Sequence, residues 1–206
     1  EAALAEARAE LTEANNQAER RARAETAAAS FYRSVRERRR TEVVERWPEL
    51  RREQLSRAEA AFFRDTYDRF RLDLSIAAYQ NALELLRNGR YAEAAEKLQE
   101  SIRLRDEATH IPSVKYQLAR TLRQLGRQSE AIVYARQVIE QQVDRELQDD
   151  ATWLLATCAE ELDDLDTARE ALNTLIRRWP RSALARDARP KLRDLTRRAI
   201  RGDSAG

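Results

Sequence analysis

An internal repeat of 37 residues constrains this chain more than any other feature of its sequence. Gly89, Gly126 and Asp163 follow one another at that interval, and each lies between two amphipathic segments with helical spacing. Repeats that keep one register in this way are typical of helical hairpins stacked into an array. A single hairpin cannot bury its apolar faces, so each hairpin has to pack on its neighbours. The repeat therefore predicts an all-α solenoid.

Alanines recur at the points where the two helices of each hairpin would cross. They are Ala82, Ala119 and Ala156 on the first helices, and Ala94, Ala131 and Ala168 on the second helices. A small side chain at a crossing lets two helices approach closely. The composition agrees with an all-α fold, because the 206 residues include only four glycines and four prolines to make turns.

These residues resemble a known family, the tetratricopeptide repeat (TPR). Its helix A small residue, inter-helix glycine and helix B alanine match Ala82, Gly89 and Ala94, and its closing proline matches Pro180. The resemblance implies a right-handed helical-hairpin solenoid with three TPR-like repeats in residues 74–180. The interval is slightly longer than the roughly 34 residues usual for this repeat.

Two segments of the sequence also resemble bacterial envelope proteins. They are AYQNALELLRNGRYAEAAEKLQ and WPRSALARDARPKL, which are similar to the repeat domains of the periplasmic CpoB (YbgF)-like and BamD-like families. The resemblance implies a role in a cell-envelope assembly. The expected location is the periplasm, or a membrane anchor facing the periplasm through a segment before Glu1, and a cytoplasmic location is the alternative.

The N-terminal third is predicted to be a helical extension. Residues 1–47 are expected to form a long helix or a weak coiled coil, because Leu4, Ala7 and Leu11 have heptad-like spacing. This helix is also the candidate for self-association into a homo-oligomer. The residue before a proline is biased out of the α region, so Trp47–Pro48 is predicted to end the segment. Residues 48–73 are then predicted to form a connecting amphipathic helix that starts at Pro48.

Residues 181–206 are predicted to form a capping helix and a tail. Ser182 is a candidate N-cap. Pro190 predicts a kink or two short helices, because proline removes a backbone donor from a helix interior. The basic residues between Arg177 and Arg201 are expected to meet an acidic partner or the chain's own acidic third repeat.

The sequence carries no recognisable catalytic motif. It has no Gly-rich phosphate loop, zinc-ligand cluster or nucleophile elbow. The single histidine, His110, is predicted in a loop, and Cys158 is predicted to be a buried packing residue. We therefore expect a protein that is not an enzyme and that uses no cofactor or metal. A net charge of +2 gives no general attraction to nucleic acid, so nucleic-acid binding through the arginine-rich segments is the weakest candidate.

The candidate site follows from three aromatic residues at equivalent positions of the repeats, Tyr79, Tyr116 and Trp153. In the TPR family this position faces the concave groove, so the resemblance implies a column of rings that contacts a ligand; core packing of the rings is the alternative. The predicted partner-binding residues are Tyr79, Leu83, Tyr116, Arg120, Arg123, Trp153, Thr157 and Glu160.

The function predicted from these features is that of a non-catalytic scaffold that binds a protein, either a peptide or a partner helix. The alternative is a cytoplasmic TPR adaptor or co-chaperone-type receptor that clamps a C-terminal carboxylate. A clamp of that kind would call for Lys and Asn on the inner face of successive A helices. This chain has Leu83, Arg120 and Thr157 at one set of those positions, which disfavours the clamp.

Overall fold

The structure, a computed structural model, describes residues 2–141 and 145–203, and these residues form an all-α protein as predicted. Their nine helices are α1 (Ala2–Arg36), α2 (Arg40–Leu50), α3 (Arg57–Arg87), α4 (Tyr91–Leu104), α5 (Ile111–Gln124), α6 (Gln128–Glu140), α7 (Arg145–Glu161), α8 (Leu165–Arg178) and α9 (Ala183–Asp203). The chain divides into two compact units between Leu74 and Ser75. The first unit holds α1, α2 and the beginning of α3, and the second holds the rest of α3 and all later helices.

The second unit contains three hairpins, formed by the end of α3 with α4, by α5 with α6 and by α7 with α8. Two residues after the end of each first helix lies a residue with positive φ, at +72° in Gly89, +73° in Gly126 and +59° in Asp163. Each turn closes with the same backbone hydrogen bond, from the next amide to the carbonyl five residues before it, at 2.9 Å. Aspartate replaces glycine in the third turn because it is among the non-glycine residues that best tolerate the left-handed region.

Small residues form the helix crossings of the second unit. The six crossing alanines of the sequence analysis are all fully buried, with no exposed surface. Between them lie larger buried side chains such as Leu98, Leu118, Leu122 and Leu172. Full burial of a leucine stabilises a fold by about 1.5–3 kcal/mol, so this aliphatic core is the main stabilising element of the array.

The last helix, α9, packs on α7 and α8 and closes the array. The hydroxyl of Ser182 accepts a hydrogen bond from the amide of Leu184 at 3.1 Å, as the predicted N-cap requires. Ala185, Ala188 and Leu195 form its buried face. The prediction of two short helices is wrong, because α9 continues through Pro190. The buried alanines and leucine on both sides of the proline hold the helix together despite the lost hydrogen bond. Residues 204–206 of the predicted tail lie outside the described residues.

The predicted helix boundaries in the first unit are also wrong. The chain turns at Arg38, with φ at +53°, and α2 continues through Trp47 and Pro48 to Leu50. Pro48 removes one hydrogen bond from the helix, and the burial of Trp47 and Leu50 on both sides of it offsets that loss. The next helix starts only at Arg57, after a reciprocal cap in which Ser56 and Glu59 each accept the other's backbone amide, at 3.2 and 2.9 Å.

The core of the first unit is aromatic. Phe31 of α1 contacts Phe63 of α3 with ring centroids 4.9 Å apart, and Trp47 of α2 stacks on Tyr67 at 5.6 Å. By contrast, every residue from Ala2 to Arg23 is exposed. The coiled-coil and homo-oligomer predictions for this helix therefore stay predictions.

Candidate functional site

The first helices of the three hairpins line a groove in the second unit. The groove has a volume of about 480 Å³ and is lined by Leu83, Leu86, Arg87, Tyr91, Tyr116, Gln117, Arg120, Thr121, Arg123, Gln124, Asp150, Trp153 and Leu154. On each helix the lining includes residues three or four positions apart, because one face of an α-helix returns at that spacing. The 37-residue repeat places these faces side by side.

Five of the eight predicted site residues lie in the groove lining. They are Leu83, Tyr116, Arg120, Arg123 and Trp153. The rings of Tyr116 and Trp153 are each partly exposed, so part of each ring is open to a ligand. The guanidinium of Arg120 lies 5.8 Å from the centre of the Tyr116 ring. The ammonium of Lys191 on α9 lies 5.2 Å from the centre of the Trp153 ring.

The structure places Tyr79 outside this lining. Its ring stacks on the imidazole of His110 with centroids 6.2 Å apart and planes inclined by 23°. Burial raises the pKa of the Tyr79 hydroxyl. The three aromatic residues therefore do not form one continuous column, because the first is engaged by the residue that precedes α5.

His110 is part of a buried polar cluster next to Tyr79. Ser75 and Ser101 have no exposed surface, and each donates its hydroxyl hydrogen to the other's backbone carbonyl at 2.8 Å. The Ser75 hydroxyl oxygen lies 3.0 Å from Nε2 of His110. Since the hydrogen of Ser75 is already used, Nε2 of His110 is the donor in this contact. The cluster ties α3 to α4 and to the start of α5.

Thr157 and Glu160 are also engaged within the fold. The Thr157 hydroxyl donates to the carbonyl of Trp153 at 2.9 Å. The Glu160 carboxylate pairs with Lys191 at 2.5 Å and with Arg198 at 3.3 Å. Arg198 also pairs with Asp163 at 3.1 Å. The basic capping helix thus meets the chain's own acidic third repeat, one of the two alternatives that the sequence allowed.

The charges of the groove are unevenly compensated. Arg123 donates from Nε and Nη2 to one oxygen of Glu161 at 2.9 and 2.6 Å, and this hydrogen bond lowers the pKa of Glu161. Burial, together with the nearby charge of Asp149, raises the pKa of Asp150 despite the hydrogen bond from Tyr116. Among the described residues, neither Arg87 nor Arg120 forms an ion pair. Arg120 nevertheless favours the charged form of the nearby Asp150 carboxylate. The groove therefore offers two positive charges without an ion pair beside its aromatic rings.

Several lining residues were not predicted from the sequence, including Leu86, Arg87, Tyr91 and Asp150. Helical spacing could have found three of them, because Leu86 and Arg87 lie three and four positions after Leu83, and Asp150 lies three positions before Trp153. Tyr91 has no such signal, since it reaches the groove from the start of α4.

Residues 2–141 and 145–203, which the structure describes, show no positive sign of catalytic chemistry. Cys158 is buried, and burial raises the pKa of its thiol to about 11. At neutral pH such a thiol is protonated and inert. In the described part of the chain no group of three His, Cys, Asp or Glu side chains is placed to hold a metal. None of the helices that the structure describes is long and apolar enough to cross a membrane.

Comparison with protein families gives one match to a family model. The model described as "YfiO: Outer membrane lipoprotein" matches residues 73–201, which is more than half of the chain and begins close to the boundary of the second unit. The sequence has no match among curated proteins.

Solved TPR structures resemble this fold. A C-terminal TPR-containing domain of an FK506-binding protein from Plasmodium falciparum has 17% identity and a TM-score of 0.54, over 66% of this chain and 95% of that one. The Arabidopsis OM64 TPR domain has 15% identity and a TM-score of 0.52, over 60% and 98%. The first TPR of Spaghetti (RPAP3), bound to an HSP90 peptide, has 13% identity and a TM-score of 0.51, over 63% and 95%. At these identities the likeness concerns the fold, and it confirms the predicted TPR class.

Proposed function

The chain belongs to the YfiO family of outer membrane lipoproteins, and on that premise we propose that it is a non-catalytic scaffold of the bacterial cell envelope. The groove lined by Leu83, Tyr116, Arg120 and Trp153 holds a peptide or a helix of another protein. The observation that carries this proposal is the groove itself, with its volume of about 480 Å³ and its partly exposed rings.

The apolar side chains of the groove support a protein ligand. Tyr116 and Trp153 offer large, rigid surfaces with a polar edge, which suit both extended peptides and amphipathic helices. Leu83 and Leu86 add an aliphatic patch, and Tyr91, which is 39% exposed, lies beside them. These groups bind apolar side chains of a ligand in alternation with its polar ones.

The charges of the groove define the ligand further. Glu161 neutralises Arg123, whereas Arg87 and Arg120 form no ion pair in the described residues. A ligand with an acidic side chain next to an apolar anchor would compensate these two arginines. We expect a partner segment of that composition to bind more tightly than a basic one.

Site-specific photo-crosslinking in native cells tests the proposal. A photoreactive amino acid in place of Gln117, which lines the groove, is expected to capture a partner protein from the envelope fraction. The same amino acid in place of Val133, which is 53% exposed on α6, is the matched control. The function is contradicted if Gln117 yields no adduct, or only the adducts obtained from Val133.

Substitutions then separate binding from folding. Trp153→Ala is expected to weaken the captured complex by about 2 kcal/mol while costing less stability than the roughly 3–5 kcal/mol of a core aromatic. Arg120→Glu is expected to weaken it with little loss of stability, because the side chain is exposed and forms no ion pair with the described residues. Arg103→Glu on α4, also exposed, is the charge-matched control. Marked unfolding of Trp153→Ala, or full binding by both groove variants, would refute the groove as the binding site.

The proposed compartment is the periplasm or a membrane facing it. Fractionation of the native cell checks this part on its own. Recovery of the protein with the periplasm or the envelope is expected, and recovery with the cytoplasm would favour the alternative, a cytoplasmic TPR adaptor.

A further inference from the structure

The solvent-facing side of α9 carries a row of arginines. Arg186, Arg189, Arg193 and Arg197 are all exposed. At 3.6 residues per turn they fall within a strip of about 80° around the helix axis, and the row is about 16 Å long. Ala188 and Leu195, which lie about 140–160° around the helix axis from the middle of the row, are buried against the repeats. The row, named here the arginine row, therefore has no part in packing α9 on the array.

The arginine row is poorly compensated, unlike the arginines that follow the first two hairpin turns of the array. In the first two hairpins, Arg90 and Arg127 each form an ion pair with the glutamate three residues later. Among the residues that the structure describes, only Arg197 of the row has an ion pair, with Asp194 at 3.5 Å, and both side chains are about 70% exposed. Pairs this exposed contribute little. Lys191 and Arg198, which hold α9 to the third repeat, point to another side of the helix.

The position of the acids follows from the same geometry. Asp187 and Asp194 lie on one flank of the arginine row and not within it, since they fall about 80–100° from Arg186 around the axis. Positive charge is thereby segregated along one line of the surface. Ile200, which is 62% exposed, lies within the same strip. The row thus combines several guanidinium groups with an apolar side chain.

We propose that the arginine row is a docking surface for a bilayer that contains anionic phospholipids. Guanidinium groups form paired hydrogen bonds with phosphate oxygens, and a straight row on a convex helix fits a flat array of headgroups. A bilayer also accepts an exposed isoleucine between its headgroups, which the phosphate backbone of a nucleic acid does not. Because the apolar face of α9 is occupied by the repeats, the helix binds at the headgroup level without inserting, and the attachment is reversed by salt.

Vesicle flotation with the full chain tests this surface. The probes are vesicles of phosphatidylcholine alone and of phosphatidylcholine mixed with phosphatidylglycerol. Binding to the mixed vesicles only, and its loss when the salt is raised to about 0.5 M, is expected. Absence of binding to the mixed vesicles, or equal binding to both, overturns the proposal.

Two triple variants with equal charge locate the surface. Arg186→Gln with Arg189→Gln and Arg193→Gln is expected to weaken binding roughly tenfold or more, because each arginine near an anionic surface adds attraction. The control replaces Arg57, Arg103 and Arg136, which are also exposed, by glutamine and is expected to keep binding within roughly threefold. Circular dichroism melts establish that both variants fold. Equal binding by the two variants overturns the proposal, and so does a short DNA duplex that binds the row more tightly than the vesicles do.

Discussion

The α1–α2 hairpin of the first unit has the same turn geometry as the three hairpins of the second unit, but its helices pack through different side chains. Arg38 has a positive φ like Gly89, Gly126 and Asp163, and the amide of Arg39 bonds to the carbonyl of Ser34 at 3.0 Å in the same pattern. Seven residues before the turn the repeats place a buried alanine, where the first hairpin has Phe31. Five residues after it the repeats again place a buried alanine, where the first hairpin has Val43.

This difference separates two roles of the sequence. The backbone of the turn reverses the chain direction, and it can do so with glycine, aspartate or even arginine. The residues at the crossing decide how the two helices fill their interface: small ones let backbones approach, while Phe31 requires aromatic neighbours such as Phe63 and Trp47. The turn alone therefore does not make a repeat, and the family match covers only the region with alanine crossings.

The largest expected effect comes from removing the aromatic crossing residue. Phe31→Ala should cost about 3–5 kcal/mol, because it leaves a cavity among Trp47 and Phe63. Chemical denaturation, with hydrogen exchange to assign the loss to the first unit, measures it. Tyr32→Ala is the neighbouring control, since that ring is 49% exposed. If the two variants lose equal stability, the first unit is not organised around Phe31.

Enlarging an alanine crossing should be the next largest effect. Ala119→Leu should cost about 1–3 kcal/mol, because a fully buried site between two helices has no room for the added carbons. Ala77→Leu, at an exposed position of α3, is the control and should be nearly neutral. Equal stability of the two variants in urea would show that the alanine crossings are not close-packed.

Exchanging the turn residues should have smaller and opposite effects in the two regions. Gly126→Ala should cost about 1 kcal/mol and Arg38→Gly should gain a similar amount, because only glycine adopts positive φ without a penalty. A methyl group at Gly126 meets no atom within 4 Å, so the cost is purely conformational. Thermal melts of both variants measure the difference. Shifts of the same sign would contradict a shared turn geometry.

The smallest expected effect is a difference in pH response. Burial lowers the pKa of His110 from its ordinary 6.5, so the unfolded chain binds a proton more readily than the folded one. This histidine's stabilisation of the second unit is present above about pH 6.5 and is lost as pH falls from there through the folded pKa.

In the first unit, hydrogen bonds from Ser34 and then Arg46 lower the pKa of Glu42 below its ordinary 4.5, so the contribution of that carboxylate is lost only at lower pH. On going from pH 7.5 to 5.5, hydrogen exchange should therefore show a loss of amide protection in the second unit alone. The His110→Asn variant should lose less protection between the two pH values. An unchanged response in the variant would assign it to other groups.

Much of the second unit was predictable because its information is local. The 37-residue interval, the turn residues and the crossing alanines are each read within one hairpin, and the cap at Ser182 is read within one turn of helix. The turn at Arg38 was not predictable, since arginine is not a residue that marks a left-handed turn. The end of α2 was mispredicted because the tertiary burial of Trp47 and Leu50 extends the helix past Pro48.

The candidate site shows the same division. Tyr116 and Trp153 occupy equivalent positions of two repeats, and Arg120 lies one helical turn after Tyr116. Their common place in the groove was predictable, because equivalent positions of stacked repeats lie on the same face. Tyr79 and Glu160 were predicted on the same face from the sequence. In the structure Tyr79 stacks on His110, 31 residues away along the chain, and Glu160 pairs with Lys191 and Arg198, 31 and 38 residues away.

The sequence by itself determined the all-α class, the three hairpins and the helix faces that meet, because periodicity and turn conformation are properties of neighbouring residues. Only the tertiary structure decided which arginines of the groove form an ion pair, which aromatic ring stacks on His110 outside the groove, and that α9 exposes a row of arginines to the solvent. Those outcomes depend on pairs of side chains brought together by packing, and a pairing energy between distant residues leaves no pattern in the local sequence.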